Sequence, residues 1–213
     1  MSMNSDKLPV KPWNKGLKLP VEILSEREVN QLVNAVSRRG HTGVRNRALI
    51  SLIYRTGLRI SEALALSVKD VDTQGGTVRV LHGKGNKART TAIDPGGAAI
   101  VDVWLAKRVE LGIPRAAPLF CTLAGGRMSD RYVRAMVKRV AARAGLDKRV
   151  HPHGLRHTHA SELAREGVPV NVIQSQLGHS NLSTTSTYLN HISPAHLVTV
   201  IQRRTWNTGE SDE

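Results

Sequence analysis

HPHGLRHTHASELAREGVPVNVIQSQLGHSNLSTTSTYLNH, residues 151–191, is the stretch around which the rest of the chain is organised. Pro152 suits the first turn of a helix, and His153 and Arg156 follow three residues apart, so both side chains face one site. A helix N-terminus carries unpaired N–H groups and the positive end of the dipole. An anion held there meets backbone donors as well as the Arg156 guanidinium. Pro169 opens a second helix, with Val170, Ile173 and Leu177 at helical spacing, and Gly178 ends it, which sets His179 just past a helix end. A run poor in helix formers, NLSTTST, then leads to Tyr188.

Charge narrows the partner. The 213 residues hold 31 Lys+Arg against 17 Asp+Glu, a formal net charge of +14, which points to a polyanion. Aromatic residues make up only 3%, too few for the stacking platforms of single-strand binders, so duplex DNA gripped through its phosphates is the better expectation. No apolar run approaches the roughly 20 residues of a membrane span and no signal-peptide pattern opens the chain, so no membrane partner and a cytoplasmic, nucleoid-associated location are expected. Cys121 is alone, which excludes an intrachain disulfide and fits a reducing compartment.

The length suits one domain with a sizeable core. Residues 1–19 carry Lys7, Lys11, Lys15 and Lys18 among Pro, Gly and Asn and read as a flexible basic arm; residues 207–213 read as an acidic tail. Between them, residues 20–206 are expected to form the folded domain. Ser25 and Glu28 have capping-box spacing ahead of Val29, Leu32 and Val36, so a helix is expected to about Ser37. A second should begin near Val44 and stop at Gly57, and a short third should open at Leu58. Arg59 has apolar residues on both sides, a costly place for a charge unless it is paired or holds an anion. Glu62, one turn on, is a partner by spacing, either as a structural ion pair or as the group that aims Arg59 at a phosphate.

Val78 and Val80 alternate in a strand, GKGNKA forms a turn with Lys84 and Lys87 between and after its glycines, and residues 89–93 return, giving a β-hairpin. Pro95 starts a further helix with Ile100, Val103, Trp104 and Leu111 apolar, and a short apolar segment at residues 119–123 precedes a Gly-Gly turn. Ser129 caps a helix with Val133, Val137 and Val140 inward and Arg127, Arg131, Arg134 and Lys138 on the other side. A charged stripe is commonly a solvated face; because every member is positive, contact with a DNA backbone is expected. After Tyr188, Pro194 introduces an amphipathic segment with Leu197, Val198 and Ile201. The fold class is therefore mainly α with a small antiparallel β-sheet or hairpin, α+β.

Taken together, H-x-x-R at 153–156, LGH at 177–179 and a tyrosine nine positions after that His resemble the tyrosine recombinases, or phage-type integrases. TGLRISE at 56–62 is similar to the family's setting for its first catalytic arginine, and GKGNKAR at 83–89 to the hairpin that carries its catalytic lysine. The resemblance covers about residues 20–192 and implies catalytic roles for Arg59, Lys84, His153, Arg156, His179 and Tyr188, with Lys87 the lesser candidate for the lysine and Glu62 a supporting group. Lys87 and Arg89 join the basic stripe as expected DNA contacts.

That resemblance implies site-specific DNA recombination without ATP, metal or other cofactor. Tyr188 would form a 3′-phosphotyrosine, Arg59, Arg156 and His179 would hold the phosphate oxygens, Lys84 would be the general acid and His153 the base. Expected partners are double-stranded DNA, a homo-oligomer, tetrameric on paired sites, and accessory DNA-bending proteins or a separate core-binding subunit. Full-length members carry a helical core-binding domain ahead of this one, where only a short arm is seen here; small invertase-like members and a truncated chain both fit. A non-catalytic DNA-binding regulator and a type IB topoisomerase are the competing functions. Zinc held by His153 and His157, four apart, is disfavoured because no HExxH or cysteine pair accompanies them.

Overall fold

The computed structural model describes residues 21–81 and 88–178, together with Gln202. Lys84, Lys87, His179, Tyr188, the basic arm, the Pro194 segment and the acidic tail lie outside the described residues. Within residues 21–81 and 88–178, seven α-helices and three strands follow in order: α1 Glu26–Asn34, α2 His41–Thr56, α3 Ile60–Ala65, β1 Val71–Asp72, β2 Thr77–Val80, β3 Arg89–Ala92, α4 Pro95–Glu110, α5 Asp130–Arg143, α6 Pro152–Arg165 and α7 Val170–Leu177. This is the mainly helical α+β architecture expected.

Local chemistry sets the helix starts. Ser25 and Glu28 form the capping box of α1, with Ser25 N–H donating to Glu28 Oε2 at 2.7 Å. Asp94 caps α4 ahead of Pro95, and Ser129 caps α5. The helices at the N-terminal end differ from expectation by about a turn. α1 stops at Asn34, and Val36 is buried from the turn beyond it rather than from the helix. α2 starts at His41, because its first turn is polar and so leaves no apolar signature.

The sheet has one strand more than the expected hairpin. It is antiparallel in the order β1-β2-β3, with Val71 opposite Val78 and Val78 opposite Thr91. β1 is only two residues long, too short to show alternation. The main core runs from Leu24 to Leu155 and gathers α2, α4, α5 and the inner face of the sheet; a smaller cluster of Ala160, Ala164, Ile173 and Leu177 joins α6 to α7. α4 buries Ala98, Val101 and Trp104, but the equally apolar Val103 is 54% exposed. It follows Val101 by two residues, which on a helix points to the far side. Leu119, Phe120 and Cys121 are fully buried without forming a strand; Leu123 is on the surface.

Trp104 anchors this arrangement, with its side chain fully buried and its indole N–H donating to the Leu119 carbonyl at 2.8 Å. Trp104→Ala should therefore lower stability by about 3–5 kcal/mol, read from urea unfolding, because it leaves both a cavity and a buried carbonyl with one donor fewer.

Candidate active site

The turn between α2 and α3 is the floor of the site. Gly57 ends α2 with φ of 65°, and a Cβ there would lie 2.5 Å from Leu177 Cδ2 and 2.9 Å from His159 Cδ2, so the position needs glycine for both conformation and space. Thr56 fixes the turn on either side: its hydroxyl donates to the Leu52 carbonyl at 2.6 Å, and its own carbonyl accepts from Thr91 Oγ1. Leu58 is fully buried, which leaves Arg59 to project, 27% exposed, from the start of α3.

α6 meets this turn with its N-terminal half. His151 caps the helix, accepting from Gly154 N–H through Nδ1, and Pro152 occupies the first turn. Arg156, one turn in, is 1% exposed. Its guanidinium donates to the Gly57 carbonyl at 2.6 Å and to the Leu177 carbonyl at 2.8 Å. Arg156 is thereby held against the residue two before Arg59 and the residue two before His179. His153 lies at the surface of the same helix end, its Nε2 2.8 Å from His157 Nε2. One of these rings must donate and the other accept, which disfavours the doubly charged pair.

The site is positive, and burial followed by that charge lowers its histidines. His153 is pushed below the usual histidine range by desolvation and then by the charges of Arg156, His151, Arg59 and Arg134. His151 is lowered for the same kinds of reason, with Arg149 and Arg134 as the charged neighbours. Burial lowers His159, under the floor, to about 4, with Arg55 and Arg156 pushing the same way and Asp94 opposing; its Nε2 has no hydrogen-bond partner among the described residues.

Glu62 is 4% exposed and receives three sets of donors: Arg59 N–H at 2.9 Å, Arg59 Nη1 at 2.8 Å and a fork from Arg89 with both distances 2.9 Å. Burial raises its carboxyl, yet the hydrogen bonds from Arg89 and Arg59 outweigh this and hold it at about 2. Arg89, expected on a DNA-facing surface, thus turns inward to a carboxylate, with 13% of its side chain exposed.

Of the sequence-predicted residues, Arg59, Glu62, His153 and Arg156 are therefore brought together. Arg127, Arg131, Arg134 and Lys138 are all exposed. Arg134 and Lys138 line a cleft of about 630 Å³ with Lys148, Arg149 and His151 beside the start of α6. Tyr54 and Tyr132 are committed elsewhere: Tyr54 Oη donates to Glu162 Oε2 at 2.6 Å, and Tyr132 Oη accepts from Arg45 Nη2 at 2.8 Å. No group of three or more potential metal ligands occurs among the described residues, and no helix among them is long and apolar enough to cross a membrane.

One positioning group had no signature in the sequence. Gln176 donates through its amide to the Ala92 carbonyl at 2.8 Å and accepts from Ala92 N–H at 2.9 Å, so it extends the ladder of β3 and ties α7 to the sheet.

Solved structures share this fold. The crystal structure of XerA recombinase superposes with a TM-score of 0.75 at 29% identity, covering 87% of this chain and 66% of that one. XerH site-specific recombinase, bound to palindromic difH substrate in a post-cleavage complex, gives 0.69 at 28%, covering 86% and 53%. The architecture is that of a tyrosine recombinase catalytic domain. Residues 22–194 match the phage integrase family, and the chain belongs to it. It is 38% identical over 178 residues to tyrosine recombinase XerC of Thermodesulfovibrio yellowstonii, covering 81% of this chain and 58% of that protein. It is 37% identical over 191 residues to XerC of Halalkalibacterium halodurans, covering 86% and 62%. The chain thus spans about three-fifths of the length of these relatives.

The neutral, buried His159 generates a stability signature. The folded state takes up this proton at about 4 and the unfolded chain at about 6.5, so between those values the unfolded state binds more protons and stability falls as pH drops. The loss reaches on the order of 3 kcal/mol. His159→Gln should flatten that slope in urea unfolding measured from pH 7 to pH 4, whatever it does to stability at pH 7.

Proposed function

We propose that this chain carries the strand-cutting and rejoining activity of a site-specific DNA recombinase. Tyr188 attacks the scissile phosphorus, forming the phosphotyrosine ester at the 3′ side and breaking the bond to the 5′ oxygen, which leaves as a hydroxyl. Arg59, Arg156 and His179 hold the non-bridging oxygens and stabilise the charge that develops on them. Lys84 protonates the departing oxygen, and His153 takes the tyrosine proton. Rejoining runs the same steps backwards with a 5′-hydroxyl from the partner strand. Because the ester bond energy is kept in the protein–DNA link, the cycle needs neither ATP nor a metal.

The observation that carries this reading is the gathering of Arg59, His153 and Arg156 at the Gly57 turn from two segments almost a hundred residues apart. His153, lowered there by burial and by the neighbouring arginines, is suited to accept a proton. The relatives add their own support, being named tyrosine recombinase XerC, and XerH is described before and after cleavage of difH substrate. The partner is double-stranded DNA, approached across the Arg134–Lys138 cleft and the remaining basic stripe. Paired sites would be bridged by a homo-tetramer, with core-binding contacts and DNA-bending proteins supplied around this domain, in the cytoplasm on the nucleoid.

Incubation with nicked duplexes bearing candidate sites, followed by denaturing gels, tests the chemistry. A covalent product should form with the wild type, persist in EDTA and vanish in Tyr188→Phe while binding changes little. Arg59→Lys and Arg156→Lys should slow its formation by about 10²-fold or more, since an ammonium cannot replace the fork of a guanidinium. Replacing Arg134 and Lys138 by Ala should instead weaken binding across sequences and reduce the dependence of affinity on salt.

A further inference from the structure

Arg89 occupies a place that neither DNA contact nor simple core packing explains. It begins β3, which follows residues 82–87 in the sequence, and it sends its guanidinium across to Glu62 on α3. Its stem lies on Gly178, where a Cβ would come within 2.5 Å of Nε, 2.6 Å of Cδ and 2.7 Å of Cζ. Arg89 Nε is buried there with no hydrogen-bond partner among the described residues, a cost accepted alongside the two-bond fork to Glu62. One side chain, on the strand that follows Lys84 in the sequence, therefore touches the element carrying Arg59 and the residue immediately before His179.

Charge sharpens the point. A buried Glu62 paired with Arg59 alone would be a neutral couple, and its carboxylate would cancel the attraction of Arg59 for a phosphate. Adding Arg89 brings the trio to a net +1. The remaining charge is best presented by Arg59, which is 27% exposed against 13% for Arg89. Both terminal nitrogens of Arg89 are already on carboxylate oxygens.

We propose that Arg89 is a positioning residue for the reaction: it neutralises and orients Glu62, so that Glu62 aims Arg59 without quenching it. The proposal rests on the recombinase reading above and assigns Arg89 no contact with DNA.

Single-turnover cleavage of a nicked duplex by Arg89→Ala, Arg89→Lys, Glu62→Gln and the Glu62→Gln/Arg89→Ala double variant tests it. Arg89→Ala should slow cleavage of bound DNA by about 10- to 100-fold with affinity and salt dependence little changed. The double variant should cleave faster than Arg89→Ala, because removing the carboxylate charge frees Arg59 again. A merely structural Arg89 would not yield that recovery. Arg89→Lys keeps the charge without the fork and should fall between wild type and Arg89→Ala, and it carries the test if Arg89→Ala does not fold. Loss of affinity with a salt dependence reduced by about one ion, at unchanged cleavage of bound DNA, would overturn the proposal in favour of a phosphate contact. A double variant as slow as the product of the two single effects would overturn it too.

Carboxyl titration by NMR reads the trio independently of turnover. Glu62 should titrate at about 2 in the wild type and distinctly higher in Arg89→Lys. An unchanged titration sinks the proposal even if DNA is cut; a wild type that forms no covalent product while Glu62 responds in this way sinks the recombinase reading instead.

Discussion

The fold of the site depends on one buried cation. Arg156 reaches the last carbonyls of two helices, Gly57 at the end of α2 and Leu177 at the end of α7. Helix C-termini carry carbonyls with no partner in their own helix and the negative end of the dipole, so two such ends meeting on a guanidinium offset much of what it costs to remove that charge from water. Each helix ends in a glycine in the left-handed region, which turns the chain sharply away and leaves the carbonyl accessible. The same contact that makes Arg156 tolerable in the interior thereby sets the distance between the Arg59 turn and the chain entering His179.

Around it, charge is arranged in layers. Arg156 is tied to backbone, Arg89 and Glu62 to each other, and Arg59 extends from this base toward solvent. The histidines of α6 sit in the resulting positive field, which favours their uncharged forms. Outward from them the potential continues over Arg134, Lys138 and Arg149, so a polyanion meets no acidic barrier along the cleft beside α6 beyond Asp147. On the function proposed above, affinity comes largely from the cleft, and the trio of Arg59, Glu62 and Arg89 is left to control geometry.

Helix positions were legible where capping and apolar spacing coincided, as at Ser25, Pro95, Ser129 and Pro152, and less so at His41, whose polar first turn looks like loop. Arg59, His153 and Arg156 were legible through the local motifs that surround them. The partners of those residues were not. Nothing in the neighbourhood of Arg89 indicates that it bridges to Glu62, because the pairing is made by tertiary folding across 27 residues. An arginine beside a lysine-rich turn reads as surface charge until the other side of the strand is known. β1 and the Gln176 contact escaped for a related reason: two residues are too few for a period, and a side chain standing in for a strand has no period at all.

That last contact limits what the molecule can do with its neighbours. An open sheet edge displays amide groups to which any extended peptide can add. Here β3 ends in a glutamine amide held by α7, while the opposite margin is a two-residue strand, so a foreign segment finds little to pair with unless it first pries the helix off. Self-association through backbone ladders at these two margins is thereby discouraged.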